Sequence, residues 1–392
     1  MFTSLPRYRW VSRPMSEIER RVRGGKIRWV ARYYDPDGRR RGKVFDRKVD
    51  AQNFQAQNTT SKITGNYVDP VRGKIKLSAM ADKWLATQGH LKPSTLARYE
   101  GIVEKHINPR WGTTPLVKIS HEDVAEWVSK IRLSPASVAY IHRVFSLIME
   151  LAVRGGRISR NPAHGVRLAR RPKAEKKFLS RVEVFRLADA AADYPIPEVG
   201  QQYRVLILVL AFCGLRWGEV AGLRVGRLDL LRHRMAVSET LSEVGGRLLW
   251  GTPKSHAARS VPIPGFLVDL LAEVAADKSP GDLVFTTWRG KPLRNLNFRR
   301  DVFDRAAEDV GLAGLTPHVL RHTAASLAVS AGANVKAVQR MLGHASAAMT
   351  LDVYSGLFDD DLDGVAERLD RDCHPIATRE NRGEVIELRH GR

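Results

Sequence analysis

The feature that most constrains this chain is an unbroken apolar run over residues 205–213, closed by Gly214. It is about half the length that a bilayer span requires. With Tyr203 it reads as a helix buried on its whole circumference, ending at Cys213-Gly214. Such a helix must be wrapped by other elements, and the sequence around it supplies them. Ser180 caps a helix to Ala192, and a further element starts at Glu219. Residues 234–239, 246–251 and 259–263 read as three short strands in a meander. Helices then follow to about residue 357, broken at Ser279-Pro280-Gly281 and Arg289-Gly290. No unbroken apolar stretch reaches the length of a membrane span.

Upstream lies a run of helices over residues 75–166. One covers 77–87, with Ala81, Trp84 and Leu85 at helical spacing. A second opens at Pro93-Ser94 and stops at Asn108-Pro109. Ser120 and Asp123 resemble a capping box for a third, which runs through Ile131. Ser134 opens the longest, to Arg154, with Val138, Ile141, Val144, Phe145, Ile148 and Leu151 on one stripe. Residues 64–74 and 167–177 read as linkers.

Charge is the clearest functional signal. Lys and Arg number 64 against 42 Asp and Glu, a net charge of +22. So basic a chain calls for a polyanionic partner, and nucleic acid is the first candidate. No lipidation motif and no long basic amphipathic helix points to a membrane surface. Fifteen Lys/Arg against five Asp/Glu fall within residues 7–48, so ten of the excess charges sit there. In 26–33, Ile27, Trp29, Ala31 and Tyr33 alternate with Arg28 and Arg32. A turn at Asp35-Pro36-Asp37-Gly38 leads to a returning strand over 39–45, carrying Arg39, Arg40 and Arg41. Asp46 can cap a helix over about 47–60, with Val49, Phe54 and Ala56 inward. A small basic sheet backed by one helix can lay its strands in a major groove, with Arg28, Arg32, Arg39, Arg40 and Arg41 as the candidate DNA contacts. Two cysteines, Cys213 and Cys373, make neither a disulfide framework nor a zinc site. The N-terminus has no signal-peptide core. The expected setting is the cytoplasm, with association to the nucleoid when DNA is bound.

Residues 316–354 concentrate the chemistry. His318, Arg321, His344 and Tyr354 are donors, a cation and a phenol, with no carboxylate base beside them. An arginine and imidazoles can hold the oxygens of a phosphodiester, and a phenol can attack its phosphorus. His318 and His322 have the spacing of a zinc pair, but Val319 stands where a metalloprotease has glutamate. Tyr34, Tyr99 and Cys213 read as packing residues.

Four strings carry a resemblance: C-G-L-R-W-G-E at 213–219, G-T-P-K-S-H-A-A-R-S-V-P-I-P at 251–264, H-V-L-R-H-T-A-A-S at 318–326 and V-Q-R-M-L-G-H-A-S-A-A-M-T-L-D-V-Y at 338–354. Together they resemble the tyrosine recombinase (phage integrase) family. Residues 75–166, with H-I-N-P-R-W-G and R-N-P-A, are similar to its helical, SAM-like core-binding domain. Residues 1–65 look like its arm-type DNA-binding domain. The resemblance implies a mainly α fold with small β-sheets: an arm domain at 1–65, a four-helix core-binding domain at 75–166, a mixed α+β catalytic domain at 178–370 and a tail at 371–392.

It also implies roles. Tyr354 is the nucleophile that forms a 3′-phosphotyrosyl bond and frees a 5′-hydroxyl. Arg216 and Arg321 clamp the non-bridging oxygens. Lys254, read at a hairpin tip, is the general acid. His318 handles protons, His344 bonds the phosphate, and Glu219 orients basic groups. No metal and no nucleotide cofactor is implied. The implied partners are double-stranded DNA with core-type and arm-type attachment sites, three further copies in a tetramer, an excisionase and a host DNA-bending protein. The implied work is integration or excision of a phage or mobile element. A Xer-type resolvase, a type IB topoisomerase and a non-catalytic DNA-binding protein on the same scaffold are the alternatives.

Overall fold

A computed structural model describes residues 17–34, 40–63, 72–170, 177–253 and 258–351. It falls into two compact units that divide between Lys173 and Ala174. The described residues are mainly helical, with small antiparallel sheets.

The first unit begins with a sheet of three strands, β1 (Glu17–Arg23), β2 (Lys26–Tyr34) and β3 (Arg40–Phe45), in that order. The expected pair of strands is thus extended by β1, whose mixed charges hid its alternation. Trp29 faces Phe45 across β2 and β3, and Glu19 faces Val30 across β1 and β2. The helix α1 (Lys48–Ile63) packs on one side of the sheet through Phe54, whose ring meets Tyr33 and Phe45 at 5.6 and 5.3 Å. The β2 alternation partly holds: Ala31 and Tyr33 are buried, but Ile27 is 44% exposed and Val30, on the face of Arg28 and Arg32, is buried. The expected inward set on α1 is also corrected. Ala51 is fully buried, whereas Val49 is 60% exposed and Ala56 is exposed. Ala51 and Phe54 are three residues apart, so they share a stripe that leaves Val49 outside. The turn at 35–38 and Arg39 lie outside the described residues.

The helices that follow are α2 (Leu77–Ala86), α3 (Pro93–Ile102), α4 (Asn108–Trp111), α5 (His121–Lys130) and α6 (Pro135–Arg154). The second helix does not stop at Asn108-Pro109 as expected. A wider π turn over Val103–Ile107 joins α3 to α4, and the N–H of Asn108 reaches back to the carbonyl of Val103. Proline has no N–H to give, and the extra residue in the turn shifts the ladder past it. Ser120 and Asp123 form the expected capping box, with Asp123 N–H donating to Ser120 Oγ at 3.1 Å. The core is aromatic: the Trp127 and Phe145 rings lie 5.2 Å apart, and Trp111 meets each at 5.9 Å. By length and composition α6 could cross a membrane. Its Ile141, Val144, Phe145, Ile148, Met149 and Ala152 are instead buried in this core.

The second unit is built around α8 (Pro197–Cys213), the helix expected from the apolar run. Residues 205–211 are all buried, so no face of this stretch reaches water. Each buried Val, Leu or Ile there contributes about 1.5–3 kcal/mol of transfer free energy. Packed against it are α7 (Arg181–Ala192), with a Ser180–Glu183 capping box, and elements further on. After α8 come α9 (Trp217–Ala221), β4 (Leu228–Asp229), β5 (Arg234–Val237), β6 (Thr240–Val244), β7 (Arg247–Gly251) and β8 (Arg259–Pro262). The rest is helical: α10 (Gly265–Ala275), α11 (Asn295–Phe298), a π turn over Arg299–Phe303, α12 (Asp304–Asp309), α13 (Pro317–Ser330) and α14 (Val335–Leu342).

The meander expected here is corrected. Strands β4, β5 and β8 form one sheet, with Met235 facing Val261, and β6 and β7 form a separate hairpin. Gly245 and Gly246 both have positive φ, +56° and +76°, and make a tight turn of the kind that returns a strand on itself. The expected strand at 246–251 therefore pairs with β6, which leaves the edge of β5 for β8.

Candidate active site

Three local structures bring the site together, and each ends or begins a helix. The buried helix α8 stops at Gly214, which takes φ +67°, a conformation that favours glycine. Two residues on, the backbone N–H of Arg216 donates to Glu219 Oε2 at 2.8 Å, which fixes the start of α9. Glu219 is 1% exposed. Arg216 Nη1 also donates to Glu219 Oε1 at 2.9 Å, and Arg259 forks onto both oxygens at 3.0 and 2.6 Å. Burial alone would raise the Glu219 pKa. The hydrogen bonds and charge of Arg259, then those of Arg216, bring it below the ordinary value. The carboxylate is therefore ionised in the interior because two guanidiniums hold it.

The second structure is α13, which places His318 and Arg321 one turn apart. Arg321 is 3% exposed. Its Nη1 donates to the carbonyl of Gly214 and its Nη2 to the carbonyl of Leu342, both at 2.5 Å. His318 is exposed, and its ring stands edge-on to His322 with centroids 4.9 Å apart.

The third structure is the end of α14. Asn334 caps its start and Gly343, at φ +66°, closes it. The last carbonyls of any helix lack partners within the helix. Here three arginines from three other elements supply them. Arg259 Nε donates to Met341 O at 3.0 Å, Arg321 Nη2 to Leu342 O and Arg216 Nη2 to Gly343 O at 3.2 Å. Positive charge at a helix C-terminus is also favoured by the helix dipole. His344 follows at once, its Nδ1 3.0 Å from the hydroxyl of the fully buried Thr350. Burial, then the charges of Arg321 and Arg216, hold the imidazole pKa down to about 4. His344 is neutral at physiological pH.

Comparison with known proteins bears on the family. The profile described as the phage integrase family matches residues 177–360, and that of the phage integrase N-terminal SAM-like domain matches residues 76–132. The integrase of Mycobacterium phage D29 is 28% identical over 353 residues, covering 85% of this chain and 90% of that protein. The chain belongs to the tyrosine recombinase, or phage integrase, family. It is thus a site-specific DNA recombinase, an enzyme of DNA strand breakage and rejoining. Two solved structures share the fold. The Tn1549 transposon integrase in complex with transposon right end DNA aligns with TM-score 0.64 at 22% identity, over 75% of this chain and 99% of that one. A lambda integrase tetramer bound to a Holliday junction aligns with TM-score 0.56 at 19% identity, over 85% and 96%.

In this tyrosine recombinase, Arg216, Glu219, Arg321 and His344 converge at the end of α14. His318 shares a helix with Arg321. Lys254 and Tyr354 lie outside the described residues. Sequence reasoning passed over Arg259 as a strand residue, although it stood inside the string quoted for Lys254. Thr350 was passed over as well, and nothing about a lone threonine would have marked it.

The candidate DNA contacts of the N-terminal sheet divide between its faces. Arg28, Arg32 and Arg40 share the face opposite Phe54, and each pairs with a carboxylate. Arg28 meets Asp46 at 2.5 Å, Arg32 meets Glu19 at 3.1 Å and Arg40 meets Glu17 at 3.1 Å. Arg41 is registered opposite Tyr33, on the helix side. Arg39 is outside the described residues.

Proposed function

We propose that this integrase cuts DNA through Tyr354 and rejoins it to the 5′-hydroxyl of another strand. The phenol oxygen attacks the phosphorus, a P–O bond to tyrosine forms, and the bond to the 5′-oxygen breaks. Lys254 supplies the proton to that leaving oxygen, and His318 handles the proton of the phenol. Arg216 and Arg321 face the non-bridging oxygens, whose charge grows in the transition state. Each guanidinium is held by fixed acceptors, so little reorganisation is needed as the charge develops. His344 is neutral. With the Thr350 hydroxyl donating to Nδ1, its Nε2 carries the proton and donates to a phosphate oxygen. Glu219 orients Arg216. The phosphotyrosine keeps the energy of the phosphodiester, so resealing needs no nucleotide.

The observation that carries this reading is the convergence of Arg216, Arg321 and His344 on one helix end. The test is a nicked duplex bearing the core of its attachment site, taken from the junctions of the integrated element. It should trap a covalent adduct without added metal. Tyr354→Phe should bind the duplex and form none. An adduct in Tyr354→Phe would place the nucleophile elsewhere.

The finer organisation follows the same reading. Residues 1–65 bind arm-type sites, 75–166 grip the core site and 178–370 carry the chemistry, in a tetramer at the DNA in the cytoplasm. An excisionase and a DNA-bending protein set the direction. The arginine face of the N-terminal sheet, with Arg28 and Arg40 exposed, supports the arm assignment. Deleting residues 1–65 should abolish arm-site binding and spare core-site cleavage.

A further inference from the structure

Arg259 is the one member of the buried network without a part in the chemistry above. Three of its five N–H groups are engaged, Nε with Met341 O and one each on Nη1 and Nη2 with Glu219. Its side chain is 9% exposed. With Nε and both Nη bonded to Met341 O and Glu219, it bears on cleavage through those partners. We propose that Arg259 is a positioning residue for DNA cleavage, setting the guanidinium of Arg216 through Glu219 and the imidazole of His344 through the end of α14. This rests on the catalytic reading of Arg216 and His344.

Three features support it. The fork from Arg259 onto both oxygens of Glu219 fixes the plane of the carboxylate. That same carboxylate accepts from Arg216 twice, at its backbone N–H and at Nη1, so the orientation of one arginine becomes the orientation of the other. Arg259 also holds Met341 O, three residues before His344, while Arg216 holds Gly343 O. The two arginines thus share a carboxylate at one end and a helix terminus at the other. Finally, Gly343 leaves room for Arg259. A Cβ there would stand 3.0, 3.1 and 3.2 Å from Arg259 Cδ, Nε and Cζ. Any other residue before His344 would require the Arg259 side chain to give by a few tenths of an ångström. A lysine could not substitute, since it offers a point charge and not a planar fork.

The test uses the full-length protein and the nicked duplex described above, in single turnover. Rate of adduct formation, DNA affinity and thermal stability are measured for wild type, Arg259→Gln and Arg259→Lys. Misplacing catalytic groups by a fraction of an ångström to one ångström costs up to about 100-fold in rate, so Arg259→Gln should lose about that much while DNA affinity moves less than about threefold. Arg259→Lys should recover only part, about tenfold, because it restores the charge without the fork. Three results would overturn the proposal. Arg259→Gln could cleave at the wild-type rate. The loss could track the folded fraction or DNA affinity, a purely structural role. Both variants could fail to fold, which would make Arg259 a stability residue. Wild type forming no adduct would instead sink the catalytic reading beneath it.

Discussion

Gly343 and Arg259 are complementary in shape: the guanidinium stem of Arg259 lies where a side chain on Gly343 would stand, 3.0 Å from its Cβ position. Gly343 also sits at φ +66°, where an L side chain is strained. Both facts predict the same outcome. Gly343→Ala should cost about 1–2 kcal/mol of stability from backbone strain alone. It should also slow cleavage beyond what the unfolded fraction explains, because Arg259 must move. Denaturant melts beside single-turnover rates decide it, and a variant with unchanged stability and rate would show that the loop relaxes freely.

Among the described residues, Glu219 is the one carboxylate bonded to these cations. Glu219→Gln leaves two guanidiniums with a neutral partner, and breaking a buried pair from one side costs about 3 kcal/mol or more. The pH dependence has a definite sign. The folded pKa is depressed below 4.5, so the stabilisation is present above 4.5 and is lost as pH falls through the folded value. Melting temperature against pH should therefore drop more steeply below 4.5 in wild type than in Glu219→Gln. Parallel curves would sink the assignment.

His344 titrates in a different window. Its pKa falls from 6.5 to about 4 on folding. Both states are neutral above 6.5, and between 6.5 and about 4 only the unfolded chain takes up the proton. Stability is complete above 6.5 and declines as pH falls through that interval. The imidazole resonances of His344 should show a neutral ring at pH 5.5, and a midpoint near 6.5 would contradict the buried, cation-lined setting.

The fully buried Thr350 hydroxyl lies 3.0 Å from His344 Nδ1. Thr350→Val keeps the shape and removes the hydrogen bond. One such bond is worth about 1 kcal/mol, so adduct formation should slow about fivefold. An unchanged rate, with DNA affinity also unchanged, would show that packing alone orients the ring.

Cys213 is fully buried at the end of α8, and burial pushes its thiol up to about 12. The thiolate is the reactive form. Iodoacetamide should leave Cys213 unlabelled in the native protein and modify it only on unfolding, with peptide mass mapping to separate it from Cys373. Labelling under native conditions would mean that this end of α8 opens readily.

What the sequence determined by itself was local. Ser120 with Asp123, Ser180 with Glu183, the apolar stripe of α6 and the run through α8 each declare an element through bonds or burial within a few residues. The motif strings carried the family, because Arg216, Arg321 and His344 occur in fixed order between recognisable caps. Tertiary structure decided whatever depends on partners distant in the chain. The N–H deficit of Pro109 was absorbed by a π turn, and the edge of β5 went to β8 once β6 and β7 had closed on each other. The same holds for the site. Glu219 and Arg259 are forty residues apart, and Arg216 and Gly343 are 127 apart. A buried ion pair has no sequence signature, since charge in a strand usually means solvent. Only the closing of α8, β8 and α13 around the end of α14 brings that charge inside, where each guanidinium finds its acceptor.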